Sequence, residues 1–331
     1  MYPQSSEVRR HSRRAVLGLG LGAAVAVTAA TGGTAFATTG GTPLAAPASD
    51  DPATGNGLHR ALAALEQEHS ARLGVYGRNL VTGRTVRYRA DELFPICSVF
   101  KTVAVAAVLR DLDRDGEFLA QRIRYTTEDV TRAGGTVGVE GGGGAPITGR
   151  EVNLANGMTV AELCAATIDY SDNVAGNLLL RELGGPTAVT RFARSVGDRV
   201  TRLDRWEPEL NTAEPDRRTD ITSPRAIALT YGRLALGDAL PPAKRDQLVA
   251  WLRANTTSTR RFRKGLPADW ALADKTGTGR HGTTNDVGIA WTPAGAPVLL
   301  SVLTTKPADE AAPMDEPLVA RTATLLAGAL G

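Results

Sequence analysis

Leu58, Leu62 and Leu65 recur at helical spacing and predict an opening helix, with His59 and His69 on its surface. Alternation then replaces that pattern. Short strands are expected around Gly74–Leu80 and Arg84–Arg89, joined across Thr82-Gly83, a hairpin signal. From Val99 to Leu109 the chain is almost wholly apolar, a buried helix opening at Ser98. Helical patterns follow at Thr159–Ile168, Asn173–Leu183, Pro186–Ser195, Pro224–Leu236 and Lys244–Arg253. Strand-length apolar runs return at Ala271–Thr276, Asn285–Trp291 and Val298–Thr304, and a last helix spans Pro317–Leu330. Strands at both ends around a helical middle predict an α/β plus all-α architecture. A five-stranded antiparallel sheet flanked by helices, drawn from both termini, packs on an inserted helical lobe with the functional cleft between them.

The first 37 residues read as an export signal rather than as fold. Arg9, Arg10, Arg13 and Arg14 precede a weakly apolar Gly- and Ala-rich run from Ala15 to Ala30, and Ala35-Phe36-Ala37 is a small-x-small cleavage signal. That run is shorter than the roughly 20 residues a membrane span needs, so no stable insertion is expected after cleavage. Ser12-Arg13-Arg14-Ala15-Val16-Leu17 points to twin-arginine export, an ordinary secretory peptide with a chance arginine pair being the alternative. Residues 38–55, rich in Thr, Gly, Pro and Ala, read as a disordered tether. The remaining 56–331 form one domain, with its α/β lobe at about 56–96 and 255–331 and its helical lobe at about 97–254.

Removing residues 1–37 changes the charge picture. The whole chain carries +3, but the mature chain has 34 basic and 34 acidic residues. A neutral surface lacks the basic footprint of a nucleic-acid partner. Of the 38 basic residues only five are lysines, and Lys101 and Lys275 fall in the motifs below. Lysine can serve as a base where arginine cannot. Cys97 and Cys164 do not make a disulfide scaffold and are expected as buried apolar residues. His59, His69 and His281 lack ligand spacing, so neither a metal nor another cofactor is expected.

Four segments carry the candidate chemistry: Ser98-Val99-Phe100-Lys101, Ser171-Asp172-Asn173, Glu207-Pro208-Glu209-Leu210-Asn211 and Lys275-Thr276-Gly277. Three residues apart on a helix, Ser98 and Lys101 share a face, and a serine needs such a neighbour to become a nucleophile. Ser98 could instead be a plain helix N-cap, as could Asp172 ahead of Val174. Apolar neighbours around Lys101 argue against an idle surface lysine, and burial favours the neutral, basic form of an amine.

In this order the four motifs resemble the class A serine β-lactamases, over roughly residues 57–330. The resemblance implies hydrolysis of small-molecule β-lactams through a Ser98 acyl-enzyme. Lys101 or Glu207 is the acylation base, Ser171 the proton relay, and Glu207 with Asn211 activates the deacylating water. Asn173 orients Lys101 and the substrate. Lys275, Thr276, Gly277, Thr278 and Arg261 receive the drug's carboxylate, although Arg261 could be one member of a solvated basic run. The oxyanion hole is the backbone N–H of Ser98 and Thr278. Arg205 pairs with Asp220 across an Ω-type loop, and the Glu207-Pro208 bond is cis. Two disulfides known in parts of the family cannot form, because Val105 and Gly279 stand where the partner cysteines would be. The mature protein is expected as an exported monomer.

One segment departs from the pattern. Residues 129–156 are longer than the family's, Gly-rich at 134–135 and 141–144, and contain no aromatic. A flexible flap beside Ser171 is the expectation, with a stacking wall missing from the cleft. Two rivals share parts of the signature: a D,D-peptidase or penicillin-binding protein, and a non-hydrolytic β-lactam sensor. The Glu207–Asn211 segment separates hydrolysis from both.

Overall fold

The computed structural model describes residues 52–139 and 144–331, so the expected signal, most of the tether and the tip of the Gly-rich loop lie outside the described residues. Helix α1 (Pro52–Glu68) starts inside the segment expected as tether. It leads into β1 (Arg72–Asn79) and β2 (Thr85–Tyr88), turned by Gly83 in the left-handed region at φ 74°. The short β3 (Phe94–Pro95) precedes a single 3-10 turn at Cys97–Val99 and then α2 (Phe100–Ala107). Next come α3 (Glu117–Ala120), β4 (Arg122–Ile123), α4 (Thr127–Arg132), α5 (Glu151–Asn156) and β5 (Met158–Thr159). Helices α6 (Val160–Asp169), α7 (Asn173–Glu182) and α8 (Thr187–Ser195) follow, then β6 (Ile221–Thr222), α9 (Pro224–Ala235) and α10 (Pro242–Ala254). The chain closes with α11 (Phe262–Gly265), β7 (Ala271–Thr278), β8 (Thr284–Trp291), β9 (Pro297–Thr305) and α12 (Glu316–Leu330).

The five long strands form one antiparallel sheet in the order β2-β1-β9-β8-β7. N- and C-terminal strands therefore pair at its centre, through β1 and β9, as the sequence pattern requires. Side-chain alternation sorts the strands between two cores. Leu73, Val75, Val298, Leu300 and Val302 pack with α1 and α12, while Tyr76, Val287, Ile289, Leu299 and Leu303 join the helical side. Both faces being covered, β9 reads as a nearly continuous apolar run rather than as an alternating one.

Three local signals fixed the helix starts that matter for the cleft. Thr159 caps α6 in a capping box with Glu162, Asp172 caps α7 through Ala175 N, and Ser223 caps α9 ahead of Pro224. His69 is not a free surface residue: its Nδ1 lies 3.0 Å from both Asp315 carboxylate oxygens, joining the end of α1 to the start of α12. None of the helices among the described residues is long and apolar enough to cross a membrane.

Candidate active site

Ser98 sits in the 3-10 turn ahead of α2, just after Cys97, whose φ of 44° is in the left-handed region. The cap residue of α2 is Val99, and no side chain caps that helix. Ser98 is therefore not spent as an N-cap. Its Oγ donates to Glu207 Oε1 at 3.3 Å.

Lys101 is fully buried on α2, donating to Ser171 O at 2.8 Å and Asn173 Oδ1 at 2.7 Å, with Ser171 Oγ further off at 3.4 Å. Its Nζ pairs with Glu207 Oε1 at 3.0 Å. Ser98 and Lys101 meet at Glu207 Oε1, whereas the sequence placed the amine directly against the hydroxyl. Ser171 holds φ at 57°, which turns its carbonyl and hydroxyl toward the lysine. Asp172 points the other way. Its carboxylate accepts from Ala175 N at 2.9 Å, Ile147 N at 3.0 Å and Thr148 N at 2.9 Å. Gly176 on α7 was not singled out from the sequence. A Cβ there would lie 3.2 Å from Lys101 Cε, so the glycine makes room for the lysine stem.

Glu207 is almost fully buried, its bond to Pro208 is cis, and Asn211 Nδ2 donates to its Oε2. Asn177, also missed in the sequence, grips its backbone: Oδ1 accepts from Glu207 N at 3.0 Å and Nδ2 donates to Glu207 O at 2.9 Å. The available signal was its position one helical turn after Asn173, on the same face. Arg205 Nε donates to Asp220 Oδ2 at 2.6 Å, and Asp220 Oδ1 accepts from Asp204 N at 2.8 Å and Arg205 N at 2.9 Å. The two ends of the loop are thus pinned as expected.

The opposite bank of the cleft is β7. Lys275 is fully buried and donates to Thr276 O at 2.9 Å. Burial, and after it the nearby cations Lys101 and Arg261, push its ammonium well below the usual lysine range. Arg261 is buried too and is no member of a solvated run. Its Nη1 donates to Gly277 O and Asn285 O, both at 2.9 Å, and its Nη2 to Thr278 Oγ1 at 2.7 Å. Gly277 lies where β7 meets the turn that carries Ser98. A Cβ there would come within 3.3 Å of Cys97 Cβ, Ile96 O and Ser98 N, so the glycine lets β7 close onto the nucleophile turn. Asn285, unremarked in the sequence, fastens that turn by donating to Pro95 O at 2.9 Å.

Both cysteines are free and buried. Burial pushes the Cys97 thiol up, out of reactive range. The Gly-rich segment is less loose than expected along its described parts. Gly135 N donates to Val130 O at 2.9 Å, Gly144 N to Gly134 O at 3.3 Å, and Asn173 N to Gly144 O at 2.6 Å. Its tip, residues 140–143, lies outside the described residues.

A family model described as the Beta-lactamase enzyme family matches residues 57–330. A β-lactamase of Streptomyces lavendulae is 62% identical over 322 residues, spanning 97% of this chain and 98% of its own. Among solved structures, the β-lactamase of Streptomyces albus G aligns with a TM-score of 0.79 at 62% identity, covering 83% of this chain and 100% of that one. A variant of the last common ancestor of Gram-negative class A β-lactamases aligns at 0.74 and 49% identity, covering 82% of this chain and 97% of that one. With fold, motif order and near-full-length identity in agreement, this chain belongs to the β-lactamase enzyme family, in its class A serine branch.

Proposed function

We propose that the mature chain hydrolyses the β-lactam amide of penicillin- and cephalosporin-type antibiotics through an acyl-enzyme on Ser98. Ser98 Oγ bonds to the lactam carbonyl carbon as its proton passes to the acylation base, Lys101 or Glu207. The C–N bond then breaks, and Ser171 passes a proton to the ring nitrogen. Glu207, with Asn211, activates the water that cleaves the ester. The oxyanion rests on the backbone N–H groups of Ser98 and Thr278, a type of donor whose loss typically costs about 10² to 10³ in rate.

One observation carries this reading: the buried Glu207 carboxylate within hydrogen-bond reach of both Ser98 and Lys101, fixed by Asn211 and by Asn177. A carboxylate so placed gives a route off the ester that a penicillin-binding protein or a sensor does not need. Lys101, paired with the same carboxylate oxygen, and Glu207 are both placed to take the Ser98 proton.

The test is a time course of purified mature protein with excess chromogenic cephalosporin. Many turnovers per molecule, lost in Ser98→Ala, are expected. A stoichiometric burst is expected for Glu207→Gln, and turnover at the wild-type rate in that variant would overturn the deacylation role. Export is a separate part of the proposal, supported by the arginine pair and cleavage signal in residues 1–37. Replacing Arg13 and Arg14 by lysine is expected to keep activity inside the cell if the route is twin-arginine.

A further inference from the structure

Behind β7 a chain of hydrogen bonds ends on the Thr276 hydroxyl, and the donor at every link can be assigned. Thr257 N–H can only donate, so the Asn255 atom that it meets at 2.9 Å is the amide oxygen. That oxygen can only accept, so the Thr257 hydroxyl, 2.7 Å away, donates to it as well. A hydroxyl has one proton. At the 2.5 Å contact between Thr257 Oγ1 and Thr276 Oγ1, Thr276 must therefore be the donor.

In the substrate-free enzyme the Thr276 proton consequently points away from the cleft. Thr278 is the reverse case: it accepts from Arg261 at 2.7 Å and keeps its own proton free. The far end of the chain is anchored deep in the sheet. Asn255 Nδ2 donates to Asp274 Oδ1 at 3.2 Å, and Asp274 and Asp286 lie side by side with no exposure. Asp274 Oδ2, Asp286 Oδ1 and the Ser258 hydroxyl are each buried without a hydrogen-bond partner. Burial raises both carboxyls above the usual carboxylate range.

We propose that Thr257 is a positioning residue, a hydroxyl switch that decides which way Thr276 directs its proton. In the resting arrangement Thr276 donates to Thr257 and Thr257 to Asn255. When an anion enters the cleft, Thr257 turns its proton onto Thr276 Oγ1 and Thr276 turns its own toward the anion. Asn255 keeps the Thr257 N–H on its oxygen, and the 2.7 Å contact between that oxygen and Thr257 Oγ1 lengthens once no proton lies between them. Both threonine hydroxyls stay bonded throughout, and the second arrangement polarises Thr276 toward a negative charge. The ligand is a carboxylate on the substrate, so the switch rests on the β-lactamase reading above. A threonine at 276 is needed for it, and so is a hydroxyl at 257.

Steady-state kinetics test it with a cephalosporin and its methyl ester as paired substrates, on otherwise intact mature enzyme. Thr257→Val keeps the shape and the N–H but removes the hydroxyl. It is expected to raise KM for the acid by about three- to tenfold, the worth of one hydrogen bond, with kcat little changed and no effect on the ester. Thr257→Ser should restore the wild-type KM. In a Thr276→Val background, Thr257→Val should add nothing. Equal KM for wild type and Thr257→Val on the acid, or additive effects in the double variant, would overturn the switch alone, provided that wild type prefers acid to ester. A wild type indifferent to esterification would instead overturn the carboxylate site, and the switch with it.

Discussion

The two banks of the cleft solve opposite electrostatic problems. On the helical bank Lys101 and Glu207 are both buried and paired at 3.0 Å, and the lysine donates to Ser171 O and Asn173 Oδ1 as well. On the sheet bank Lys275 and Arg261 are equally buried, yet Lys275 donates to the carbonyl of Thr276 rather than to a carboxylate. One bank is complete before substrate arrives, as bond-making groups must be to avoid reorganising during reaction. The other leaves the Lys275 amine on a backbone carbonyl rather than on a carboxylate, the partner that an anionic substrate brings with it. Preorganisation and receptivity are thus separated across a few ångströms.

Breaking the helical bank should cost most. Ser98→Ala is expected to remove turnover, and Glu207→Gln to slow deacylation by about 10² to 10⁴, the usual worth of a positioned base, with the ester visible by intact-protein mass spectrometry. A Glu207→Gln enzyme with a normal steady state would mean that the two banks do not divide the work as described. Removing the cation of the sheet bank, by Lys275→Ala, should lower kcat/KM for carboxylate-bearing substrates by roughly 10- to 150-fold, the range for hydrogen bonds to charged groups. Most of that loss should fall on KM.

Asp220→Ala leaves Arg205 without its main partner and three donors unsatisfied. With Arg205 partly solvated, the cost is about 2–4 kcal/mol, seen as a fall in denaturation midpoint. Gly144→Ala sets a Cβ 2.6 Å from Ala133 O and 2.7 Å from Asn173 Nδ2 and should cost about 1–3 kcal/mol. A larger rise in KM than in instability would show that the Gly-rich loop shapes the cleft. Deleting residues 140–143 and comparing KM tests the tip separately.

The smallest effect concerns pH and Lys275. Because its ammonium is held below the usual lysine range, the folded state binds fewer protons than the unfolded one between the two values. Stability from this group is therefore lowest below that window and rises as pH climbs through it. The melting-temperature advantage expected for Lys275→Met over wild type should shrink as the pH is raised. Carboxylate binding runs the other way, with KM rising in wild type as the ammonium is lost.

The elements that carry the site were legible because each obeys a local rule. Asp172 and Ser223 mark helix starts, the apolar run from Val99 announces a buried helix, and Thr82-Gly83 marks a hairpin. The tether was drawn too far, since Pro52 to Gly55 carry no strong helical pattern yet continue α1. His69 and Arg261 resembled surface charges because their partners, Asp315 and the carbonyls of Gly277 and Asn285, are remote in sequence. At Gly277 the backbone that comes close is that of the nucleophile turn.

What the chain by itself determined was the identity and order of the groups that line the cleft, because Ser98, Lys101, Ser171, Glu207 and Lys275 each sit in a short motif whose spacing has local meaning. Tertiary structure alone decided how they are joined. Glu207 stands between Ser98 and Lys101, Asn177 holds its backbone from another helix, and the Thr276 proton is directed by Thr257 through Asn255. Hydrogen-bond direction depends on which donor faces which acceptor across strands and loops. Periodicity reports the face on which a residue lies and carries no information about what faces it.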